Sequence, residues 1–141
     1  ALTIKHSVEF MKSSGGSIIV MGSINSLLGH SGQSLYTASK HALLGIVKCA
    51  ALDLGKYDIR VNAIGPGPIA TEALMKRLKS REDNGGACAS SALEEFANNT
   101  ALGKMSTEED VANTVLYLSS NLSSSITGQI IPVCSGLIRL E

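Results

Sequence analysis

The sequence lacks an excess of charge of either sign, because its 12 lysine and arginine residues balance 12 aspartate and glutamate residues. No basic stripe runs along it, so neither nucleic acid nor an anionic membrane surface is expected as its main partner. It also has no run approaching the ~20 apolar residues that a membrane-spanning helix needs. With 44% hydrophobic and 17% charged residues, the 141-residue chain has the composition of one domain with a substantial core.

Cysteine and histidine are few and are not grouped. The three cysteines lie far apart and form no paired spacing: Cys49, Cys88 and Cys134. We expect them to be reduced thiols of a cytoplasmic protein rather than disulfide partners. The three histidines show no metal-ligand spacing with them: His6, His30 and His41. The sequence therefore predicts no metal site.

Three short runs of apolar and β-branched residues predict strands buried in a parallel sheet. They are SIIVM at 17–21, IRVNAIGPGP at 59–68 and GQIIPV at 128–133. Helical patterns alternate with them at 2–13, at 34–56, in shorter pieces within 72–102, and after a capping box of Ser106 with Glu109. The order βαβαβ predicts an α/β fold, a Rossmann-like doubly wound parallel sheet that is present here as a partial half.

Tyr36 and Lys40 begin the apolar stripe of the long helix predicted at 34–56. Steps of three and four residues from Lys40 reach only apolar positions: Leu43, Val47, Ala50 and Leu54. The two polar side chains therefore fall at the edge of the sheet where parallel strands end and ligands bind. The pattern leaves two interpretations open, a catalytic pair or a half-buried tyrosine beside a lysine that extends its ammonium to water.

A second stripe of this helix consists of small and apolar residues: Ala38, Ala42, Gly45, Ile46 and Cys49. Small side chains let a second helix approach closely. We expect the stripe to receive a helix from the same chain or from another copy, as in a homodimer or homotetramer.

A tyrosine, a lysine and a serine at the ligand-binding edge of the sheet can together hold a substrate oxygen and exchange a proton with it. A free phenol ionises near pH ~10, and a neighbouring ammonium favours the phenolate form. The phenol can then act as a general acid or base. Ser23, which follows the first strand, can hydrogen-bond to the same substrate oxygen. This set suits hydride transfer to or from a carbonyl carbon, in which the oxygen is held and its proton is supplied or removed.

Four segments in this order support that chemistry: GSIIVMGS, LYTASKHAL, IRVNAIGPGPIATE and ITGQIIPV. With Ser23 thirteen residues before Tyr36, they resemble the short-chain dehydrogenase/reductase family over nearly the whole chain. The resemblance implies an enzyme that interconverts a secondary alcohol and a ketone with NAD or NADP. It implies that Tyr36 is the acid/base and that Ser23 orients the substrate carbonyl. Lys40 would promote the ionisation of Tyr36, and both side chains would contact the cofactor, with Lys40 on the nicotinamide ribose.

The same resemblance implies a cofactor-binding loop after the second strand. Pro66 and Gly67 begin this loop, and Ile69 would offer backbone hydrogen bonds to the nicotinamide carboxamide. Thr71 would reach the carboxamide or the phosphates. Asn62, within the preceding strand, is expected to be structural rather than catalytic.

Two variable segments have open interpretations. Residues 24–35 would line the substrate pocket, where His30 is either a specificity residue or an exposed residue without a role. Residues 72–102 match the family's substrate lid, with Gly85 and Gly86 as its hinge. The stretch NGGACASS at 84–91 is also compatible with a simple surface insertion.

The sequence departs from the family pattern mainly in what is missing. It contains no Thr-Gly-x-x-x-Gly-x-Gly turn to hold the pyrophosphate, and residues 1–13 contain no asparagine for the family's catalytic position. Gly22 replaces the usual serine beside the catalytic one, and VCSG at 133–136 replaces an Asp-Gly-Gly type of ending. The strand at 17–21 is accordingly expected to have an unpaired apolar edge.

These departures, with Ala1 rather than methionine as the first residue, predict that residues 1–141 form the C-terminal part of a single oxidoreductase domain. The alternative is a truncated, non-catalytic chain that serves as an oligomerisation or interaction module. In the first case the partner is a small carbonyl or alcohol substrate. The pocket residues do not define that substrate, and nothing in the sequence chooses between NAD and NADP.

Overall fold

Three parallel strands form one sheet in the computed structural model, which describes residues 1–137. They are β1 (Gly16–Met21), β2 (Ile59–Pro66) and β3 (Ile130–Val133), in the order β1-β2-β3. Gly16 lies opposite Ile59, and Ala63 lies opposite Ile130. The predicted α/β fold with a parallel sheet is confirmed, while residues 138–141 of the predicted domain lie outside the described part.

Among residues 1–137, five α-helices lie around the sheet: α1 (Leu2–Met11), α2 (Ser34–Leu54), α3 (Glu72–Asp83), α4 (Ala89–Asn98) and α5 (Glu108–Ser119). Single 3-10 turns occupy Ile24–Ser26, Gly55–Tyr57 and Asn121–Ser123. Helix α2 ends two residues before its predicted limit because the turn at Gly55–Tyr57 leads to Asp58, whose φ is 56°. Aspartate tolerates this left-handed conformation better than most residues, and it turns the chain into β2.

The core has two parts, one on each face of the sheet. On one face, Ile59, Val61 and Ala63 of β2 pack with apolar residues of α1 and α2. On the other face, Ile64 of β2 packs with Val111 and Leu118 of α5. This alternation follows the two-residue period of a strand, and it explains why β2 is apolar along nearly its whole length.

Arg60 is the charged residue of β2, and its side chain lies at the C-terminal end of α5. Its guanidinium donates to the carbonyl oxygens of Leu118 at 2.9 Å and Ser120 at 3.2 Å, and to the Ser123 hydroxyl at 3.0 Å. The last carbonyls of a helix have no partners within the helix, and a cation there also complements the helix dipole. Arg60 thus joins β2 to the end of α5.

Asn62 has the structural role that was predicted for it. It is fully buried, its amide donates to the Ile126 carbonyl at 2.8 Å, and its side-chain oxygen accepts from the backbone N–H of Gln129 at 3.0 Å. These bonds hold the segment that leads into β3 against β2.

Helix α5 begins one residue later than the predicted capping box. The box is formed by Thr107 and Asp110, whose side chains each hydrogen-bond to the other's backbone N–H. Ser106 is buried instead, 3.0 Å from the Ser135 hydroxyl. Ser106 therefore makes a tertiary contact, and its neighbour Thr107 caps the helix.

Strand β1 is an outer strand among residues 1–137, as predicted. It pairs with β2 along one edge only, and Met21 at its end is 49% exposed. Its central residues Ile18, Ile19 and Val20 are half-buried. The outer edge of β1 thus combines apolar side chains with main-chain groups that can pair with another strand.

Candidate active site

Gly22 begins the candidate site at the point where β1 ends. Its backbone N–H donates to the Ile64 carbonyl at 2.8 Å. A Cβ atom at this position would lie 2.9 Å from that carbonyl oxygen and 3.0 Å from the Ser26 hydroxyl. A side chain in this place would require the Ile64 carbonyl or the Ser26 hydroxyl to shift, a contact that glycine avoids.

Ser23 is buried at the start of the 3-10 turn Ile24–Ser26. Its hydroxyl oxygen accepts the backbone N–H of Asn25 at 3.2 Å, and its own N–H donates to the Ser26 hydroxyl at 3.3 Å. The hydroxyl also lies 3.4 Å from the side-chain oxygen of Asn25. This local cap fixes the serine oxygen while leaving its proton in a long, weak hydrogen bond.

Lys40 and Tyr36 lie one helical turn apart on α2 and face each other. The Lys40 ammonium is 5.7 Å from the centre of the Tyr36 ring, within the range of a cation–π contact. The same ammonium donates to the carbonyls of Met21 and Gly22, at 3.3 Å each. Lys40 therefore connects the tyrosine to the residue that precedes Ser23.

The structure thus places the three predicted catalytic residues at one edge of the sheet. Ser23 lies after the carboxyl end of β1, and Tyr36 and Lys40 lie in the first two turns of α2. Tyr36 is 48% exposed, and no hydrogen bond joins it to Ser23 within the described residues. The tyrosine ring therefore projects from the edge toward space that a ligand can occupy.

The loop after β2 closes the other side of this edge. The Gly67 N–H donates to the Val133 carbonyl at 2.9 Å, and a Cβ atom on Gly67 would lie 2.9 Å from the Cβ of Cys134. Thr71 caps α3 by accepting the backbone N–H of Leu74 at 3.2 Å. Close packing against the end of β3 explains the glycine, and the cap explains the threonine.

The predicted lid consists of α3 and α4, joined by a turn. Gly85 adopts a φ of +81°, and a Cβ atom on Gly86 would lie 2.9 Å from the Arg81 carbonyl oxygen. Glu82 accepts the backbone N–H of Ala89 at the start of α4, at 3.1 Å. This bond, with a second from the Cys88 side chain, lowers the pKa of the Glu82 carboxyl below its usual value. The turn is thus held by defined contacts.

Surface depressions do not coincide with the predicted catalytic residues. One of about 690 Å³ runs along α3, lined by Ala73, Lys76, Arg77, Ser80, Arg81, Asn84 and Gly86. A smaller one of about 260 Å³ lies between α3 and α4. His30 is exposed and enters neither. Tyr36 lines neither of these two depressions.

Asn25 is the residue near the site that sequence reasoning missed. It is 5% exposed, and its amide nitrogen donates to the side-chain oxygens of Gln33 and Thr37, at 3.1 Å each. One signal was available, an asparagine two residues after the candidate serine. Its partners on α2 could be identified only from the fold.

Three further observations concern the cysteines, possible metal ligands and the helices of the described residues. Cys49 and Cys88 are free and exposed, and Cys134 is free and buried. Between Ala1 and Leu137, no group of three or more histidine, cysteine or acidic side chains is placed to hold a metal ion. None of the helices in that range has the length and apolar character to cross a membrane.

The chain is similar to known proteins over nearly its whole length. A family profile described as Enoyl-(Acyl carrier protein) reductase matches residues 1–138. The chain is 38% identical over 140 residues to "Short-chain dehydrogenase reductase 3a" of Arabidopsis thaliana, covering 96% of this chain and 51% of that protein. It is 35% identical over 127 residues to "3-oxoacyl-[acyl-carrier-protein] reductase FabG" of Chlamydia muridarum, covering 90% and 47%.

The chain belongs to the short-chain dehydrogenase/reductase family. A solved structure of the similar protein ElxO with NADP bound superposes with a TM-score of 0.81 at 29% identity, covering 96% of this chain and 52% of ElxO. The chain therefore spans about half the length of the relatives it matches. The match to the ElxO structure supports the parallel order of its three strands.

Proposed function

We propose that this chain is the catalytic-residue part of an NAD(P)-dependent oxidoreductase that interconverts a secondary alcohol and a ketone. The observation that carries the proposal is the Lys40 ammonium, which lies 5.7 Å from the Tyr36 ring centre and 3.3 Å from the Gly22 carbonyl next to Ser23. Tyr36 is 48% exposed at this edge, so part of its side chain is accessible to a ligand.

Tyr36, Ser23 and Lys40 have separate roles in the reaction. In ketone reduction, the Tyr36 hydroxyl gives its proton to the substrate oxygen, and in alcohol oxidation the phenolate takes that proton back. Ser23 donates a hydrogen bond to the same oxygen and so orients the carbonyl. The Lys40 ammonium, 5.7 Å from the centre of the Tyr36 ring, places a positive charge beside the phenol. Because an ammonium has three donors and two are used on backbone carbonyls, one remains for the cofactor ribose.

The loop Pro66–Thr71 fits the nicotinamide end of a dinucleotide. Within residues 1–137, no acceptor takes the backbone N–H of Ile69, so this donor is available to a carboxamide. Thr71 begins a 12-residue helix, and the N-terminus of such a helix favours an anion such as a phosphate. The cofactor, NAD or NADP, supplies or accepts the hydride. The structure of ElxO with NADP supports a nicotinamide cofactor without deciding between the two.

The proposal extends to the surroundings of the site. Residues 72–102 form the lid over a small carbonyl or alcohol substrate, supported by their position directly after the cofactor loop. The small-residue stripe of α2 forms the contact of a homodimer or homotetramer, supported by the exposure of Ala38, Ala42, Gly45 and Cys49. A cytoplasmic location is supported by three cysteines that are all free.

The test is Tyr36→Phe in the protein expressed from its full coding sequence. Loss of the hydroxyl should reduce turnover by at least ~100-fold while leaving NADH or NADPH binding largely intact, because the ring remains and only the proton donor is removed. The matched control is Tyr117→Phe, the same change on the exposed side of α5. Unchanged turnover in Tyr36→Phe would contradict the assigned role.

A second candidate function is a non-catalytic interaction module. The observation that favours it is the outer edge of β1, which can pair with another strand. Titrating the purified 141-residue chain with NADH and with NADPH, followed by nicotinamide fluorescence, tests for cofactor binding. Saturable micromolar binding supports the enzyme, whereas no binding by this chain together with no turnover in the protein expressed from its full coding sequence supports the module.

A further inference from the structure

Asn25 connects the candidate catalytic serine to the helix that bears the candidate catalytic tyrosine. Its backbone N–H and its side-chain oxygen both contact the Ser23 hydroxyl, at 3.2 Å and 3.4 Å. Its amide nitrogen donates to Thr37 and Gln33 at the start of α2, at 3.1 Å each. Thr37 is the immediate neighbour of Tyr36.

We propose that Asn25 is a positioning residue that sets the Ser23 hydroxyl relative to Tyr36. This inference rests on the proposed oxidoreductase function. Asn25 is 5% exposed, and both hydrogens of its amide nitrogen have acceptors on α2. A buried amide with all its donors satisfied has one preferred orientation, because any other would leave polar atoms without partners.

The two contacts to the Ser23 hydroxyl, at 3.2 Å and 3.4 Å, determine how its oxygen and its proton are held. The backbone N–H of Asn25 occupies one lone pair of the serine oxygen, which anchors that oxygen. The serine proton points to an acceptor at 3.4 Å, near the limit of a useful hydrogen bond. A substrate carbonyl at normal hydrogen-bond distance can therefore replace the Asn25 oxygen as the acceptor of the serine hydroxyl, at little cost in free energy. Asn25 keeps the serine oriented without holding its proton tightly.

The exchange Asn25→Asp tests this balance without changing the size of the side chain. A carboxylate accepts a hydroxyl proton more strongly than an amide oxygen does, so it would hold the Ser23 proton away from the substrate. Thr37 can reverse its hydroxyl to donate to the new oxygen, and the exposed Gln33 can turn its amide, so the fold has partners for the change. We expect kcat to fall ~10- to 100-fold, with KM changed less than ~3-fold.

A pH profile separates this effect from a packing defect. As the pH falls through the range where the introduced carboxyl takes up a proton, the carboxyl accepts the serine hydroxyl less strongly. The hydroxyl can then donate to the substrate, so the ratio of variant to wild-type kcat should rise. The charged and ionisable groups placed around this turn are the Lys40 ammonium on the Gly22 carbonyl, Tyr36, whose ring centre lies 5.7 Å from that ammonium, and His41, whose ring nitrogen lies 3.1 Å from the Thr37 carbonyl. These groups are present in both proteins, and the ratio removes their common contribution.

Two further variants test the link to α2. Thr37→Val removes one acceptor of the Asn25 amide and should lower kcat, whereas Thr37→Ser keeps the hydroxyl and should retain most of it. Asn113→Asp, the same exchange at an exposed position of α5, is the matched control and should leave kcat unchanged. Thermal unfolding of every variant shows whether the fold is kept.

The kinetics use the protein from its full coding sequence, NADPH and NADH, and ketone probes beginning with ethyl acetoacetate. The proposal is supported if Asn25→Asp loses kcat, recovers relative activity in acid, and Thr37→Ser resembles the wild type. It is overturned if Asn25→Asp keeps wild-type kcat at all pH values while Tyr36→Phe is inactive. Full activity in Tyr36→Phe, or no reduction of any probe by the wild type, would instead overturn the proposed function, and the role of Asn25 would fall with it.

Discussion

The ammonium of Lys40 donates to the backbone carbonyl of Gly22 at 3.3 Å. This contact ties the first turns of α2 to the end of β1, since the next residue after Gly22 is Ser23. The same ammonium faces the Tyr36 ring. Lys40 therefore combines a structural role at the strand end with its proposed chemical role, and changing it should affect both.

Replacing Lys40 with alanine should reduce turnover by ~100-fold or more and should also weaken NADH or NADPH binding. The reason is that the variant loses the charge near Tyr36 and the donor proposed for the cofactor ribose. Steady-state kinetics and a nicotinamide fluorescence titration measure the two effects. Lys48→Ala, on an exposed position of the same helix, is the control. A loss of turnover with unchanged nucleotide binding would remove the ribose contact from the proposal.

Replacing Gly45 with leucine should disrupt a dimer formed through the small-residue stripe of α2. No atom lies within 4 Å of a Cβ placed on Gly45, so the monomer has room for the new side chain. A leucine there would instead hold apart two helices that approach closely through small residues. Analytical ultracentrifugation should show a smaller species for Gly45→Leu and for Ala42→Leu, and the original size for the control Ala112→Leu. An unaltered sedimentation coefficient in the first two variants would count against this contact.

Replacing Arg60 with methionine should destabilise the fold by about 2–3 kcal/mol, since the hydrogen bonds from a charged group to the Leu118 and Ser120 carbonyls are lost. Urea unfolding measures the difference. Arg77→Met, at an exposed position of α3, should change stability by less than ~0.5 kcal/mol. Arg60→Lys should be intermediate, because one ammonium cannot reach the separate acceptors that a guanidinium reaches. Equal effects of Arg60→Met and Arg77→Met would contradict the capping role.

Replacing Asp110 with asparagine should lower stability at neutral pH and have little effect in strong acid. Hydrogen bonds from the Thr107 backbone N–H and hydroxyl hold the pKa of the Asp110 carboxyl below its ordinary value. A lowered folded-state pKa contributes stability above the unfolded value, and that contribution is lost as the pH falls through the folded one. Urea midpoints measured at neutral and at acidic pH test this. Glu94→Gln on α4 is the control, and a difference that stays constant with pH would contradict the prediction.

The strands and the long helix could be predicted because their patterns are local. The run SIIVM corresponds to β1, and alternation along β2 places Ile59, Val61 and Ala63 on one face. Helix α2 buries Val47 and Leu54 of the predicted stripe, while Tyr36 at its exposed end stays 48% accessible. Periodicity identifies which face of a helix or strand is buried, but it does not show where along that helix or strand the burial ends.

The cap of α5 shows how a tertiary contact can override a local signal. Both Ser106 and Thr107 are suitable N-cap residues, and each has an acidic residue three positions later. Ser106 is taken by Ser135, which is 29 residues away in the chain, so Thr107 forms the cap. No local pattern contains this information.

The sequence by itself determined the parallel α/β fold, the family, and the grouping of Ser23, Tyr36 and Lys40 at one edge. Parallel strands end on the same side, and a spacing of four residues lies on one helical face, so the fold and this grouping follow from local periodicity. The family follows from the resemblance of four sequence segments to its motifs. Only the tertiary structure decided that Arg60 caps α5 and that Asn25 joins the serine turn to α2. Both depend on which side chains meet after the chain has folded, because a hydrogen bond between distant residues is set by packing and leaves no repeat in the sequence.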